Sequence, residues 1–257
     1  MSGFPEQDKY TPWTFSHPAV VFPLKLSRFG RWLNLPALIT GSVSPDLLYS
    51  AGMYRAADEA HNFAGWFYTG LPVCLAVLLI FHLLSAPLKI LLPFPVTDPL
   101  TRSLRKNMII LLSLFIGAAT HIIWDGFTHE TGTMVRALSV LQVPLLHGMT
   151  NGQEIAVYKV LQHLGSLIGA GYLCLKFTQY QRALPDTEKR GNLIRLIRLI
   201  GIAVLAAFCT IPVAYHLAQT TAGLHVNRFV FYELSLSVSF FAGFVVPATL
   251  FLAIRKR

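Results

Sequence analysis

Long apolar runs are the feature that most constrains how this chain of 257 residues can fold. About 20 apolar residues are enough to cross a bilayer core roughly 30 Å thick. Five segments approach or exceed that length: 67–92, 108–127, 160–177, 197–218 and 229–254. Only 13% of the residues are charged, about half the usual share in globular proteins. The sequence therefore predicts an all-α integral membrane protein, a helical bundle of about five transmembrane helices.

The N-terminal region is apolar in patches but contains no run long enough to cross a bilayer. Prolines and glycines interrupt it, which predicts short helices that lie on or cap the bundle. In the sequence SPDLLY, Ser44 is expected to cap a helix that starts at Pro45. We therefore expect a single membrane domain over 1–257, with a capping region at 1–60 and a transmembrane bundle at 61–257.

The basic residues follow a membrane topology rather than a nucleic-acid-binding patch, although the net charge is +9. Of the Lys and Arg residues, 13 lie in 89–106, 176–198 and 255–257, and 8 lie in the alternate connections. The positive-inside rule places the richer side in the cytoplasm. We expect a multi-pass protein of a bacterial inner (cytoplasmic) membrane. The three cysteines fall inside apolar segments, where they are typical of packed core residues and not of disulfides.

A group of ionisable side chains converges on one predicted membrane face, the exterior or periplasmic one. Three of them lie four residues apart in THIIWDGFTH, the end of the second apolar segment, and residues at this spacing share one face of a helix. Imidazole nitrogens and carboxylate oxygens are the ligands that zinc prefers besides thiolates. A bound cation would also offset the cost of a carboxylate within a membrane, at least roughly 2.5 kcal/mol. The predicted metal ligands are His17, Asp46, His61, His121, Asp125, His129 and His163.

Each of these residues, taken alone, also fits a role without metal. Asp125 could be a helix-end carboxylate bonded to its neighbours and water, and Asp46 a favourable charge in the first turn of a helix. His61 could cap the start of a span, and His17 could be a loop residue. His163 suits an interhelical hydrogen-bond donor. It is their convergence on one face that favours a site for one or two divalent ions, with zinc preferred and manganese or iron as alternatives.

Five stretches carry a resemblance to known families: TFSHPAVVFPL (14–24), ALITGSVSPDLLY (37–49), EAHNFAGWFYTGLP (59–72), ATHIIWDGFTHETG (119–132) and LQHLGSLIGAGYL (161–173). Together they resemble a bacterial family of multi-pass membrane proteins of unknown function. More distantly, they resemble the YdjM-type membrane-bound metal-dependent hydrolases.

The order His, Asp, His, H-x-x-x-D is also similar to the ligand order of zinc-dependent phospholipase C and the related nucleases. That resemblance implies His17, Asp46, His61, His121 and Asp125 as ligands. The later H-x-x-x-E ligand pair of the phospholipases has no counterpart at His147 or His163. The resemblance therefore implies one or two ions rather than three.

The function expected from these features is a membrane-bound metal-dependent hydrolase that acts on a phosphoester lipid through a metal-activated water. Asp46 and Asp125 are the expected catalytic carboxylates, either of which could serve as general base if it does not bind the ion. A non-catalytic membrane scaffold or metal-binding protein is the alternative. A transporter is disfavoured, because its ionisable residues are expected near mid-membrane rather than at one end. Membrane lipid is the expected partner, and nucleic acid is not.

Overall fold

The computed structural model describes residues 16–96, 98–99, 102–147, 154–220 and 223–255, and it confirms the all-α prediction. Residues 1–15 of the predicted capping region, which include Thr14 and Phe15 of the first quoted stretch, lie outside the described residues. In chain order the helices are a 3-10 helix at His17–Val20, α1 (Val21–Leu26), α2 (Leu35–Ser50), α3 (Tyr54–Ala60), α4 (Phe63–Tyr68), α5 (Gly70–Leu83), α6 (Ser85–Leu91), α7 (Leu104–Thr128), α8 (Thr133–Ala137), a 3-10 helix at Ser139–Gln142, α9 (Val157–Ala183), α10 (Asp186–Ala218) and α11 (Val226–Arg255). Strands β1 (Pro144–His147) and β2 (Glu154–Ala156) pair antiparallel, as do β3 (Gln219–Thr220) and β4 (Gly223–Leu224).

Four helical stretches in the described part of the chain are long and apolar enough to cross a membrane. They are Phe63–Leu83, Leu104–Ala137, Asp186–Ala218 and Val226–Arg255. The fifth predicted segment lies within α9, which has 27 residues and is long enough. Its polar side chains, among them Gln162 and Lys176, leave it outside this set. The chain is therefore a helical membrane protein, with four candidate spans by length and composition among the described residues and α9 long enough to be a fifth.

Helix α2 begins ten residues earlier than the sequence predicted. Asn34 caps it, because its Oδ1 accepts the N–H of Ala37 at 2.9 Å. The prediction that the helix starts at Pro45 is wrong, since this proline lies inside it. A proline has no N–H to donate to the carbonyl of Gly41, four residues before it. The Ser44 hydroxyl donates to that carbonyl instead, at 2.8 Å, which allows the helix to continue through the proline.

The close crossing of α2 and α7 forms the centre of the described fold. A β-carbon on Gly41 would lie 2.1 Å from the carbonyl oxygen of Leu114. One on Gly117 would lie 2.2 Å from that of Leu38. Only glycines permit such an approach, and small residues at a crossing are typical of helices packed within membranes. Helix α2 therefore packs inside the bundle, with ten buried residues, rather than on its surface.

Contacts at both ends of the crossing show that α2 and α7 run parallel. At the start of α2, the N–H of Asn34 donates to Ser113 Oγ at 2.9 Å. Farther along both helices, the carbonyl of Ser42 lies 2.7 Å from Nδ1 of His121. The 3-10 helix and α1 form the opposite arm and turn back into α2 through 27–34. Residues 17–50 thus form a re-entrant hairpin that enters the bundle and returns, and we call this segment the N-terminal hairpin.

Candidate metal centre

The ends of the N-terminal hairpin meet the last turns of α7. His17 lies at the start of one arm, Asp46 near the end of the other, and His121 and Asp125 on α7. His61 joins them from the turn between α3 and α4. His121 is fully buried, and His17, Asp46 and Asp125 are each less than 9% exposed. Carboxylates and imidazoles buried this deeply need compensating partners.

Two imidazole nitrogens, of His61 and His121, lie close to each other and to one oxygen each of Asp46 and Asp125. Nε2 of His61 lies 3.4 Å from Nε2 of His121. The same atom lies 3.4 Å from Oδ1 of Asp46 and 3.4 Å from Oδ2 of Asp125. Nε2 of His121 lies 3.1 Å from Oδ2 of Asp125 and 3.7 Å from Oδ1 of Asp46. An ion with bonds of 2.0–2.1 Å to four tetrahedral ligands holds its donors about 3.3 Å apart. The five separations match that value, and we call these four residues the first donor group.

The other carboxylate oxygen of Asp125 faces a second set of imidazoles. Oδ1 is buried and accepts no hydrogen bond. It lies 3.6 Å from Nε2 of His17 and 3.6 Å from Nδ1 of His129. These three residues form what we call the second donor group, so that Asp125 presents one oxygen to each group. Two sets of donor atoms each lie within 4.8 Å of one another: those of His17, His121 and Asp125, and those of Asp46, His61 and His121. All are buried except the half-buried His61, and each set could hold a metal ion.

Backbone carbonyls fix the orientation of two imidazoles. Nδ1 of His121 lies 2.7 Å from the carbonyl oxygen of Ser42, and Nδ1 of His61 lies 2.7 Å from that of Ala57. A carbonyl only accepts, so Nδ1 carries the hydrogen in both rings when they are neutral. The lone pair of Nε2 then points into the first donor group. Hydrogen bonds of this kind select the tautomer of metal-binding histidines in other proteins.

Two histidines outside the candidate spans differ in their charge preference. The pKa of His17 is lowered to about 4. Burial is the largest cause, and the neighbouring His121 lowers the pKa by more than Asp125 raises it. His17 is therefore neutral at pH 7, the form that binds metal. Burial also opposes the charging of His61, but Asp125 and Asp46 raise the pKa of its imidazole well above the usual value. The two carboxylates thus favour a positive charge at this point, which a divalent cation would supply.

The seventh predicted ligand, His163, lies outside both donor groups. Its side chain is exposed, whereas Gln162 beside it is buried and places Nε2 3.4 Å from Nε2 of His129. Adjacent residues on a helix point about 100° apart, so only one of the two can face the site. Gln162 was not predicted, although an amide within an apolar segment is a signal that could have identified it.

A helical membrane protein with a buried group of His and Asp residues that could hold a metal ion is the class defined by this fold and site. The chain belongs to the family described as "Domain of unknown function (DUF4184)", whose model matches residues 11–252. This agrees with the resemblance to a family of unknown function. No curated protein and no solved structure matches the chain. The likeness to YdjM-type hydrolases and zinc-dependent phospholipase C therefore depends on the motifs alone.

Proposed function

We propose that this protein is a membrane-bound metal-dependent hydrolase whose two donor groups would hold one or two ions and share Asp125. The observation that carries the proposal is the arrangement around this carboxylate, with Oδ2 in the first donor group and Oδ1 beside two more imidazoles. Bridged pairs of metal ions are common in enzymes that cleave phosphoesters. The mixture of imidazoles and carboxylates favours zinc, with manganese or iron as alternatives.

The two donor groups are suited to different tasks. The first supplies four protein atoms with five separations of 3.1–3.7 Å, which fit a closed site of the structural kind. The second supplies three, from His17, His129 and Asp125. Three protein ligands and an open position are typical of catalytic zinc. The second group is therefore the proposed place where water and substrate bind.

The exposure of the donor residues indicates the side from which substrate would approach. His61 and His129 are the most exposed of the group, at 22% and 25% of their side chains. Water and substrate would thus approach from their side. A divalent ion, when bound, activates a water and polarises a phosphoryl oxygen. Asp46 and Asp125 are the proposed catalytic carboxylates. Each would act as a metal ligand, or as the general base if it does not bind an ion.

A phosphoester lipid is the proposed substrate, since the site lies near the C-terminal end of α7. The site is proposed to face the exterior of a bacterial inner membrane, opposite the end richer in basic residues. The test is hydrolysis of phosphoester lipids by the full chain in detergent with added zinc. We expect zinc-dependent hydrolysis that a chelator abolishes and that Asp46→Asn reduces at least tenfold. Hydrolysis that persists without metal, or in a variant lacking His121 and Asp125, would refute the proposal.

A non-catalytic metal-binding protein is the second candidate, and the closed first donor group favours it. A site filled by four protein ligands contributes to folding without leaving a position for substrate. Stoichiometric zinc together with no hydrolysis across the lipid series would favour this function over the hydrolase.

Replacing His129 with alanine is expected to remove one of two ions. The variant loses a donor of the second group and leaves the first group complete, so the ratio of metal to protein should fall from about two to about one. Elemental analysis of the purified protein measures that ratio. The matched control is His163→Ala, because His163 is exposed and outside both groups. An unchanged ratio in His129→Ala, or an equal loss in both variants, would contradict a second ion at this position.

A further inference from the structure

The turn of the N-terminal hairpin combines exposed apolar and basic side chains. Leu26, Phe29 and Trp32 are 75%, 84% and 50% exposed. Arg28 and Arg31, which alternate with them, are exposed as well. Large apolar side chains mixed with arginines are typical of segments that lie at a membrane interface. We call residues 26–32 the hairpin tip.

The hairpin tip is held in one shape by its own hydrogen bonds. Nζ of Lys25 donates to the carbonyl of Arg31 at 2.6 Å and to that of Leu33 at 2.5 Å. The hydroxyl of Ser27 accepts the N–H of Gly30 at 3.0 Å. A β-carbon on Gly30 would lie 1.9 Å from the carbonyl oxygen of Leu24, so the turn also closes tightly. The exposed side chains therefore project from a built loop.

The hairpin tip lies toward the end of α7 that is remote from the metal centre. Asn34, which follows the tip, contacts Ser113. Ser113 precedes His121 by eight residues of α7, which is about 12 Å along the axis. Farther in the same direction, the first turn of α7 contains Arg105 and Lys106. The tip thus lies on the side of Ser113 away from the metal centre, toward this basic end.

This placement changes the distribution of charge between the two ends of the bundle. The sequence alone assigned Lys25, Arg28 and Arg31 to the same side as the metal ligands. Moving these three to the other end changes the division of Lys and Arg from 13 against 8 to 16 against 5. The stronger asymmetry supports the orientation proposed above, with the metal centre on the exterior side.

Neither Arg28 nor Arg31 takes part in an ion pair among the described residues. Guanidinium groups bind phosphate oxygens through two parallel hydrogen bonds, and long side chains extend toward the headgroups from a shallow position in the bilayer. We propose that the hairpin tip binds the headgroup phosphates of anionic phospholipids in the leaflet opposite the metal centre. Leu26, Phe29 and Trp32 then occupy the boundary between headgroups and acyl chains.

Lipid-dependent thermal stability tests the charge contribution. Phosphatidylglycerol added to the full chain in phosphatidylcholine micelles should raise the unfolding temperature. In Arg28→Gln/Arg31→Gln the phosphatidylglycerol concentration for half of this gain should rise, roughly fivefold for each arginine. The control Arg55→Gln/Arg136→Gln removes the same charge from exposed residues of α3 and α8 and should behave like the wild type. No specific gain with phosphatidylglycerol, or an equal loss in the control, would overturn the proposal.

Labelling from one side of the membrane tests the location independently of that stability measurement. The test uses a variant without the three native cysteines. In it, Arg28→Cys should react with an impermeant maleimide from one face of the membrane, and Glu130→Cys should react from the opposite face. Glu130 is an exposed residue just beyond the end of α7. Reaction from the same face as Glu130→Cys, or from neither face, would place the tip outside the opposite headgroup layer and overturn the proposal.

Discussion

Asp125→Asn is expected to remove most of the bound metal. One carboxylate oxygen becomes an amide NH2, which donates and cannot bind a cation. Whichever way the amide is oriented, one donor group loses its oxygen, because Oδ2 lies 3.1 Å from Nε2 of His121 and Oδ1 lies 3.6 Å from Nε2 of His17. Loss of partners that only orient a ligand costs 10–100-fold in affinity, so loss of a shared ligand should cost more than about a hundredfold. Competition with a chromogenic chelator measures this affinity.

Thermal unfolding provides a second measurement of the same change. A metal that binds only the folded state raises the unfolding temperature. A chelator should therefore lower that temperature in the wild type and leave Asp125→Asn almost unchanged. The matched control is Asp98→Asn, since Asp98 accepts from His82 at 2.7 Å in an exposed pair outside both donor groups. Wild-type metal affinity in Asp125→Asn would exclude this carboxylate as a ligand. A similar loss in Asp98→Asn would indicate nonspecific binding.

The parts of the site that sequence predicted are those determined locally. The spacing of His121, Asp125 and His129 along one helix brings the three together without any tertiary information. The apolar runs likewise identify membrane helices, because their length and composition are sufficient. The start of α2 was predicted wrongly, since Pro45 is the residue expected at a first helical position. The bond from Ser44 that permits a proline inside the helix leaves no distinct signal in the sequence.

The choice between Gln162 and His163 depends on how α9 is rotated against its neighbours. Contacts at two glycines fix that rotation: a β-carbon on Gly165 would lie 2.4 Å from the ring of Trp124, and one on Gly169 would lie 2.7 Å from Cβ of Ser16. These partners belong to distant parts of the chain, so hydropathy could not reveal which polar residue faces inward. The carbonyls that orient the imidazoles are invisible to sequence patterns for the same reason.

Gly117→Ala is expected to destabilise the protein and weaken metal binding together. In an unobstructed helix this change stabilises by roughly 0.5–1 kcal/mol. Here the added carbon would lie 2.2 Å from the carbonyl oxygen of Leu38 and 2.9 Å from the nitrogen of Ser42, both backbone atoms of α2. Overpacking of this kind costs about 1–3 kcal/mol. Because Asp46 follows Ser42 by one turn, a displacement of α2 also moves a donor of the first group, and we expect metal affinity to fall at least tenfold.

The contrast with an unobstructed glycine separates crowding from helix propensity. In Gly243→Ala the added carbon meets no atom within 4 Å, so this variant of α11 should be as stable as the wild type or slightly more stable. The two unfolding temperatures and metal affinities should be compared in the same detergent. Equal stability of the two variants would mean that α2 and α7 do not approach this closely. A destabilised Gly117→Ala with wild-type affinity would show that the crossing supports the fold without positioning Asp46.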